Sequence, residues 1–333
     1  EYFERLELPS IRPEFTPSIK RLHFKENVRM IMFSSALRVC EGKYVAFVSN
    51  DTVVTKGWLE LLLQCIWSDR DIVSATPTTP NISNFQSIPE AYGNLEEMAR
   101  FAADFNRHDP SKWERRARMM PVIALYDMEK VNQIGFADRY FRTMEFWDDD
   151  FSLRARRVGY RQLLCRDVFC HHYGSVTGGE AQVKENTLQI GRKLFVEKHR
   201  VDPWENGAYY DYHVCSHLKN RKMPLGPQTD ILGLDCGFGD TPLQIANLLR
   251  GIGITSRIDN VTVQRQYAED LKGMSRTLLA AEDERGLLDC LSKDLADRQY
   301  GYIYLSRPLE QYSDWKELLN RLCDRLEAGG TLI

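Results

Sequence analysis

Two apolar rhythms alternate along this chain, one of strand period and one of helix period. Residues 43–49, KYVAFVS, are apolar nearly throughout and predict a buried strand. Residues 57–67 place Trp58, Leu61, Leu62, Cys65 and Ile66 at helical spacing. A second strand is predicted over 71–77, DIVSATP, ended by Pro77 and Pro80. The Thr, Pro, Asn and Ser of 78–87 predict a loop. A helix over 90–106, strands over 121–126 and 162–169, and a helix over 185–199 with Leu188, Leu194 and Phe195 on its apolar face complete this run. The pattern then breaks. Residues 202–229, with Pro203, Pro224 and Pro227, predict a linker or connecting arm. A new α/β run follows: strand 231–234, a Gly-containing turn, helix 241–250, strands 260–263 and 300–305, helix 313–327, and Gly329-Gly330 before a last strand. The expectation is an α/β chain of two domains, 1–201 and 230–333, joined by the arm.

Composition agrees with this division. A chain of 333 residues suits two domains. Its 43% hydrophobic and 27% charged content is that of a globular protein. A net charge of −3 exerts no general pull on nucleic acid or an anionic membrane. No apolar run reaches the roughly 18 residues of a spanning helix, and the opening EYFERLELPS lacks a signal-peptide pattern. The eight cysteines form no C-x-x-C pair, which suggests neither a zinc ribbon nor a redox motif and suits reduced core thiols. A cytoplasmic setting is the expectation. Nothing in the pattern sets an oligomeric state.

The segment that stands out is 144–160, MEFWDDDFSLRARRVGY. Asp148, Asp149 and Asp150 repel one another unless something cationic offsets them. One reading is an acidic helix N-cap with Arg154, Arg156 and Arg157 in the last turn and Gly159 as the stop. The other is a catalytic carboxylate on a helix start. Two further features bear on the choice. Ser49, Asn50 and Asp51 follow a strand end, where ligands gather in open α/β sheets; they suit either a divalent cation on phosphate oxygens or an ordinary Asn-Asp turn. His171 and His172 end another strand and suit either a structural role or metal ligation. Arg115, Arg116 and Arg118 form a basic patch expected on a solvated face, with an anionic substrate as the alternative.

The ordered motifs SNDTVVTKGWLELLL, ALYDMEKVNQIGFADRYF, FWDDDFSLRARRVGYR and HHYGSVT resemble the family-2 glycosyltransferases of GT-A fold, from about 18 to 202. That resemblance implies a Rossmann-like domain that moves a sugar from a nucleotide-diphosphate donor to a glycan or glycoprotein acceptor. It implies that Asp51 is the last acid of a D-x-D element holding Mn²⁺ or Mg²⁺, with Ser49 where the first acid often stands. It further implies that Asp148 is the catalytic base, Asp150 a supporting acid, His172 a metal ligand, and Ser49 and Asn50 donor contacts. Asp149 is left to face solvent. The first strand and Asp-bearing loop of the family are unmatched, so the domain is expected to lack its amino-terminal part.

Residues 231–249, ILGLDCGFGDTPLQIANLL, and the stretch from 300 resemble class I S-adenosylmethionine-dependent methyltransferases, over about 230–333. The resemblance implies a Rossmann-like fold and an adenosylmethionine site around Asp235, Gly237, Gly239 and Gln264. Gly233 stands where that family has an acid, Asp235 where it has its first glycine, and Gln264 where an acid bonds the ribose. The family's last strands are unmatched. These departures favour a scaffold over a second enzyme. Three functions remain: a glycosyltransferase with a methyltransferase-like scaffold, a methyltransferase acting on a glycan with the first domain as sugar-binding partner, and a non-catalytic assembly module.

Overall fold

The computed structural model describes residues 20–25, 31–143, 145–174, 182, 184–205, 207–220 and 226–333. Parts of the resemblance, at 18–19, 26–30 and 175–177, lie outside the described residues. Two five-stranded sheets carry the chain, one mixed and one wholly parallel.

The mixed sheet has the order β1-β5-β3-β6-β4, from β1 (Tyr44–Val48), β3 (Ile72–Thr78), β4 (Trp113–Arg116), β5 (Ile123–Asp127) and β6 (Arg161–Phe169). Only β3 and β6 run parallel; the other neighbours are antiparallel. The central strand β3 packs on helices on both faces, with an irregularity in its pairing between Ile72 and Ser74. Ile72 and Ala75 face Leu62, Cys65 and Ile66 of α2 (Trp58–Trp67). Val73 faces Phe151 and Ala155 of α5 (Trp147–Arg157), with Val131 of α4 (Met128–Ile134) beside them. Helices thus cover both faces, which explains why β3 and β5 are buried at every residue.

The strand expected over 43–49 forms, but it is not buried. β1 pairs only with β5 among the described residues, and Ala46 and Val48 are exposed. An apolar run does not reveal whether its strand is central or at an edge. The helix expected from 90 begins at Leu95: α3 (Leu95–Phe105) starts where the Asn94 side chain accepts from the Glu97 amide at 2.9 Å. A short ribbon, β2 (Thr52–Val53) against β7 (His171–His172), lies beside the sheet. Neither β4 nor this ribbon is long enough to leave a period in the sequence.

The parallel sheet has the order β10-β9-β8-β11-β12, from β8 (Gln228–Leu234), β9 (Thr255–Thr262), β10 (Thr277–Ala280), β11 (Tyr300–Leu305) and β12 (Leu326–Leu332). The chain reverses direction of growth between β8 and β11, as in Rossmann-like sheets. α8 (Asp240–Gly251) covers one face, with Leu243 and Leu249 on Ile231, Ile258 and Tyr302. On the other face, α10 (Glu284–Asp289) and α11 (Trp315–Asp324) place Leu287, Leu288, Leu318 and Leu322 on Leu232, Leu234, Val261 and Ile303.

The segment expected as a loop-rich arm is packed. It contains α7 (Tyr212–Asn220), whose Leu218 joins the core beneath α8. Before α7, Gly207 accepts the Asp240 amide at 3.1 Å, and the Asp211 amide donates to Thr241 Oγ1 at 2.9 Å. Among its described residues, Asp211 Oδ1 accepts from the Val214 amide at 3.0 Å in the first turn of α7, and Pro227 O accepts from the Thr255 amide at 3.1 Å. All eight cysteines are unpaired, five of them buried. Among the described residues no helix is long and apolar enough to cross a membrane.

Candidate functional site

Three elements that are distant in sequence close on one cleft of about 610 Å³. The turn after β1 supplies Ser49, Asn50 and Asp51, β7 supplies His172, and the first turn of α5 supplies Asp148 and Asp149. Arg118, from the segment joining β4 to β5, also lines it.

The β2/β7 register pairs Thr52 with His172 and so sets Asp51 beside the imidazole. The turn is tied down: the Ser49 amide donates to Val122 O at 2.9 Å, Thr52 Oγ1 donates to Ser49 O at 2.6 Å, and the Tyr173 amide donates to Asp51 O at 3.0 Å. His172 is buried, and its Nδ1 lies 3.1 Å from Asn81 O. A carbonyl there requires a proton on Nδ1. The other nitrogen, Nε2, faces Asp51 Oδ2 at 3.3 Å. A neutral imidazole lone pair opposite a carboxylate oxygen calls for a proton or a cation between them. Among the described residues no group of three or more His, Cys, Asp and Glu side chains is set to hold a metal. Two protein donors fit a divalent ion only when a ligand such as a diphosphate supplies further oxygens. His171 points away from the cleft, its Nδ1 against the Tyr92 hydroxyl.

The three aspartates part company in α5. The N-cap is Phe146, in the left-handed region at φ 66°, and not an aspartate; all three acids lie in the first turn. Gly159, at φ 92°, follows the helix end as expected. Successive residues of a helix point about 100° apart, so three adjacent acids cannot share one setting. Asp148 is half-buried and faces the cleft. Burial pushes its carboxyl up to about 7, the neighbouring Asp149 adds to this, and Arg118 opposes it. Asp149 does not face solvent: it is buried, and its Oδ1 takes Arg118 Nε at 2.7 Å. Burial raises its pKa too, against the pull of Arg118. Asp150 is fully buried and outside the cleft lining. It binds Arg154 Nε at 2.8 Å, His199 Nε2 at 2.7 Å and Lys198. Burial works against its charge, but these partners outweigh it and hold its pKa low. It joins α5 to α6 (Thr187–His199). Arg154 also caps the carbonyls of Ile134 and Gly135, at 2.7 and 2.6 Å.

The basic patch is not a solvated face. Arg116 and Arg118 are 4% and 8% exposed, and both are paired, Arg116 with Glu114 at 3.2 Å and Arg118 with Asp149. Tyr209 of the arm lies on the Arg118 guanidinium, 4.5 Å from ring centre to Cζ. Sequence reasoning did not bring Arg118 and Tyr209 together; the signal it had was a cluster of arginines next to a strand.

In the parallel-sheet unit, Asp235, Gly237 and Gly239 form the turn from β8 to α8, all at positive φ. Asp235 is 1% exposed and its carboxylate is engaged within the protein. Oδ1 accepts from the Val263 amide at 2.8 Å, and Oδ2 accepts from the Tyr312 hydroxyl at 3.1 Å and faces Arg307 at 3.4 Å. Arg307 continues to Glu284 at 2.9 Å. This network bridges the carboxyl ends of β8, β9 and β11, the crevice where Rossmann-like sheets take their ligands. At Gly239 the φ of 79° disfavours any side chain, and a Cβ would crowd Met274 Sδ at 2.5 Å. Gln264 stands half-buried after β9, its backbone N–H donating to Thr262 Oγ1 at 2.9 Å.

No protein-family model matches this sequence, and no curated protein shows significant similarity to it.

Proposed function

We propose that the mixed-sheet unit is an inverting, metal-dependent glycosyltransferase of the GT-A family-2 type. It would move a sugar from a nucleotide-diphosphate donor to a hydroxyl of a glycan or glycoprotein. The observation that carries this reading is the convergence of Asp51, His172 and Asp148, from three separate elements, on one cleft.

The roles follow from position and charge. Asp148 is the general base: a carboxyl at about 7 is matched to taking a proton near neutral pH. It accepts the proton of the acceptor hydroxyl as that oxygen bonds to the anomeric carbon. The bond from that carbon to the diphosphate oxygen breaks, and its electron pair leaves with the nucleotide diphosphate. One base and no covalent intermediate inverts the anomeric centre. Asp51 and His172 would hold Mn²⁺ or Mg²⁺, which when bound neutralises charge on the departing diphosphate. Ser49 and Asn50 line the same cleft and would contact the donor. Asp150 supports the site from behind, by fixing α5. Asp148→Asn should abolish transfer while donor binding, followed by calorimetry, stays within about twofold. Turnover by the variant at more than a few per cent of the parent would remove Asp148 as base.

The parallel-sheet unit reads as a methyltransferase-like scaffold. Its Asp235 network occupies the strand-end crevice with the protein's own side chains. A buried carboxylate already satisfied by an amide, a hydroxyl and a guanidinium has little left to offer a ligand.

A further inference from the structure

β4 ends the mixed sheet and, among the described residues, pairs only with β6. Such an edge leaves every second N–H and C=O without a ladder partner, and buried peptide groups must find one. Here the partners are Asn247 and Asp240 of the parallel-sheet unit, and Arg156 of α5, which Asp270 of that unit holds. Asn247 Oδ1 accepts from the Arg115 amide at 3.0 Å, and Asn247 Nδ2 donates to Arg115 O at 2.9 Å. Two residues on, Asp240 Oδ1 accepts from the Ala117 amide at 3.1 Å. Ala117 O accepts from Arg156, whose Nη2 is held by Asp270 at 3.0 Å. Asp270 is fully buried and also takes Arg157 Nη2 at 2.9 Å. Asp240 and Asn247 are seven residues apart, two turns along one face of α8, so one helix reaches both peptides.

Both peptide groups of Ala117 are therefore pinned immediately before Arg118. The free oxygen of Asp240 accepts from the Tyr210 amide at 3.0 Å, which also fixes the neighbouring Tyr209 on the Arg118 guanidinium. We propose that the parallel-sheet unit is a positioning device for the cleft: Asp240, Asn247 and Asp270 clamp the free edge of β4 and so hold Arg118 against Asp149. None of the three lines the cleft. They act through Arg118, whose charge pulls the Asp148 carboxyl down while that of Asp149 pushes it up. The consequence for transfer rests on the function proposed above; the clamp itself does not.

The test uses the full chain and two readouts. The first is the Arg118 Nε–H resonance, assigned by its loss in Arg118→Lys. It should move in Asp240→Asn and Asp270→Asn and stay in place in the surface control Glu317→Gln. The second is transfer: kcat should fall by about ten- to a hundredfold, the donor KM should hold within about twofold, and the acidic limb of the rate profile should move to higher pH. A moved resonance with no transfer by the parent on any donor supports the clamp and removes the function. An unmoved resonance in folded variants overturns the clamp. Where an aspartate variant fails to fold, Asn247→Ala, which leaves every ion pair in place, decides by the same resonance.

Discussion

At the scale of single residues, three identical side chains in a row acquire three different tasks. The difference is what each one meets. Asp150 meets three cationic or hydrogen-bonding groups and becomes a structural hub, Asp149 meets Arg118, and Asp148 meets the cleft. A helix start favours an ionised carboxylate by a fraction of a kcal/mol, up to about 2 in partly buried settings. Here burial and the Asp149 charge outweigh that help, because Asp148 is pushed up to about 7 and not down. The sign of the pH dependence follows. A base works only when ionised, so kcat/KM should climb with pH through about 7 and level off above it. Arg118→Met removes the group that favours ionisation and should move that limb to higher pH. Asp149→Asn removes the repelling charge, frees Arg118 for Asp148 and should move the limb lower. Initial rates between about pH 5 and 9 check all three; a limb unmoved in both variants would detach Arg118 and Asp149 from the base. The spacing showed only that acids here were unusual; the resemblance assigned Asp148 as base and Asp150 as support but left Asp149, which is buried against Arg118, to solvent. Burial and partners decide each acid's task, and both come from residues far along the chain.

At the scale of elements, α5 is aimed by how its N-cap residue is seated. Phe146 takes a left-handed backbone without the freedom of a glycine, and its ring fits because Gly191 of α6 has no side chain. A Cβ on Gly191 would lie 2.6 Å from Phe146 Cδ2. In an exposed helix interior Gly→Ala stabilises by about 1 kcal/mol. Gly191→Ala should instead destabilise by about 1–3 kcal/mol, the usual cost of overpacking, and lower transfer with it. Denaturant unfolding checks the sign, and a stabilised variant would show the contact to be soft. Elements with a period of their own were legible: α2, β3, β6, α6, α8 and β11 stand close to where the apolar spacing puts them. The β2/β7 ribbon is two residues wide and has no period, yet it is what brings His172 to Asp51. The helix α7 was missed because the prolines and polar residues around it read as loop, while its apolar contacts are made with another element.

At the scale of the whole molecule, the two sheets do different work. The mixed sheet holds the cleft, and the parallel sheet turns its helix starts and buried acids toward the mixed sheet's edge. Two sheets of α/β type could be read from the alternation of periods. That Asp235 ties the strand ends of the second together could not, since its partners Tyr312 and Arg307 lie up to 77 residues away. Calorimetry with S-adenosylmethionine should give no binding heat; saturable binding would return the parallel-sheet unit to catalysis. The central claim is the transfer site itself. The full chain should be offered a panel of nucleotide-diphosphate sugars with simple glycan acceptors, with and without Mn²⁺, and the product's anomeric configuration read by proton NMR. The account predicts turnover of at least one donor, dependent on the ion and inverted at the anomeric carbon. Transfer with retained configuration, or no turnover of any donor with the ion present, would contradict it.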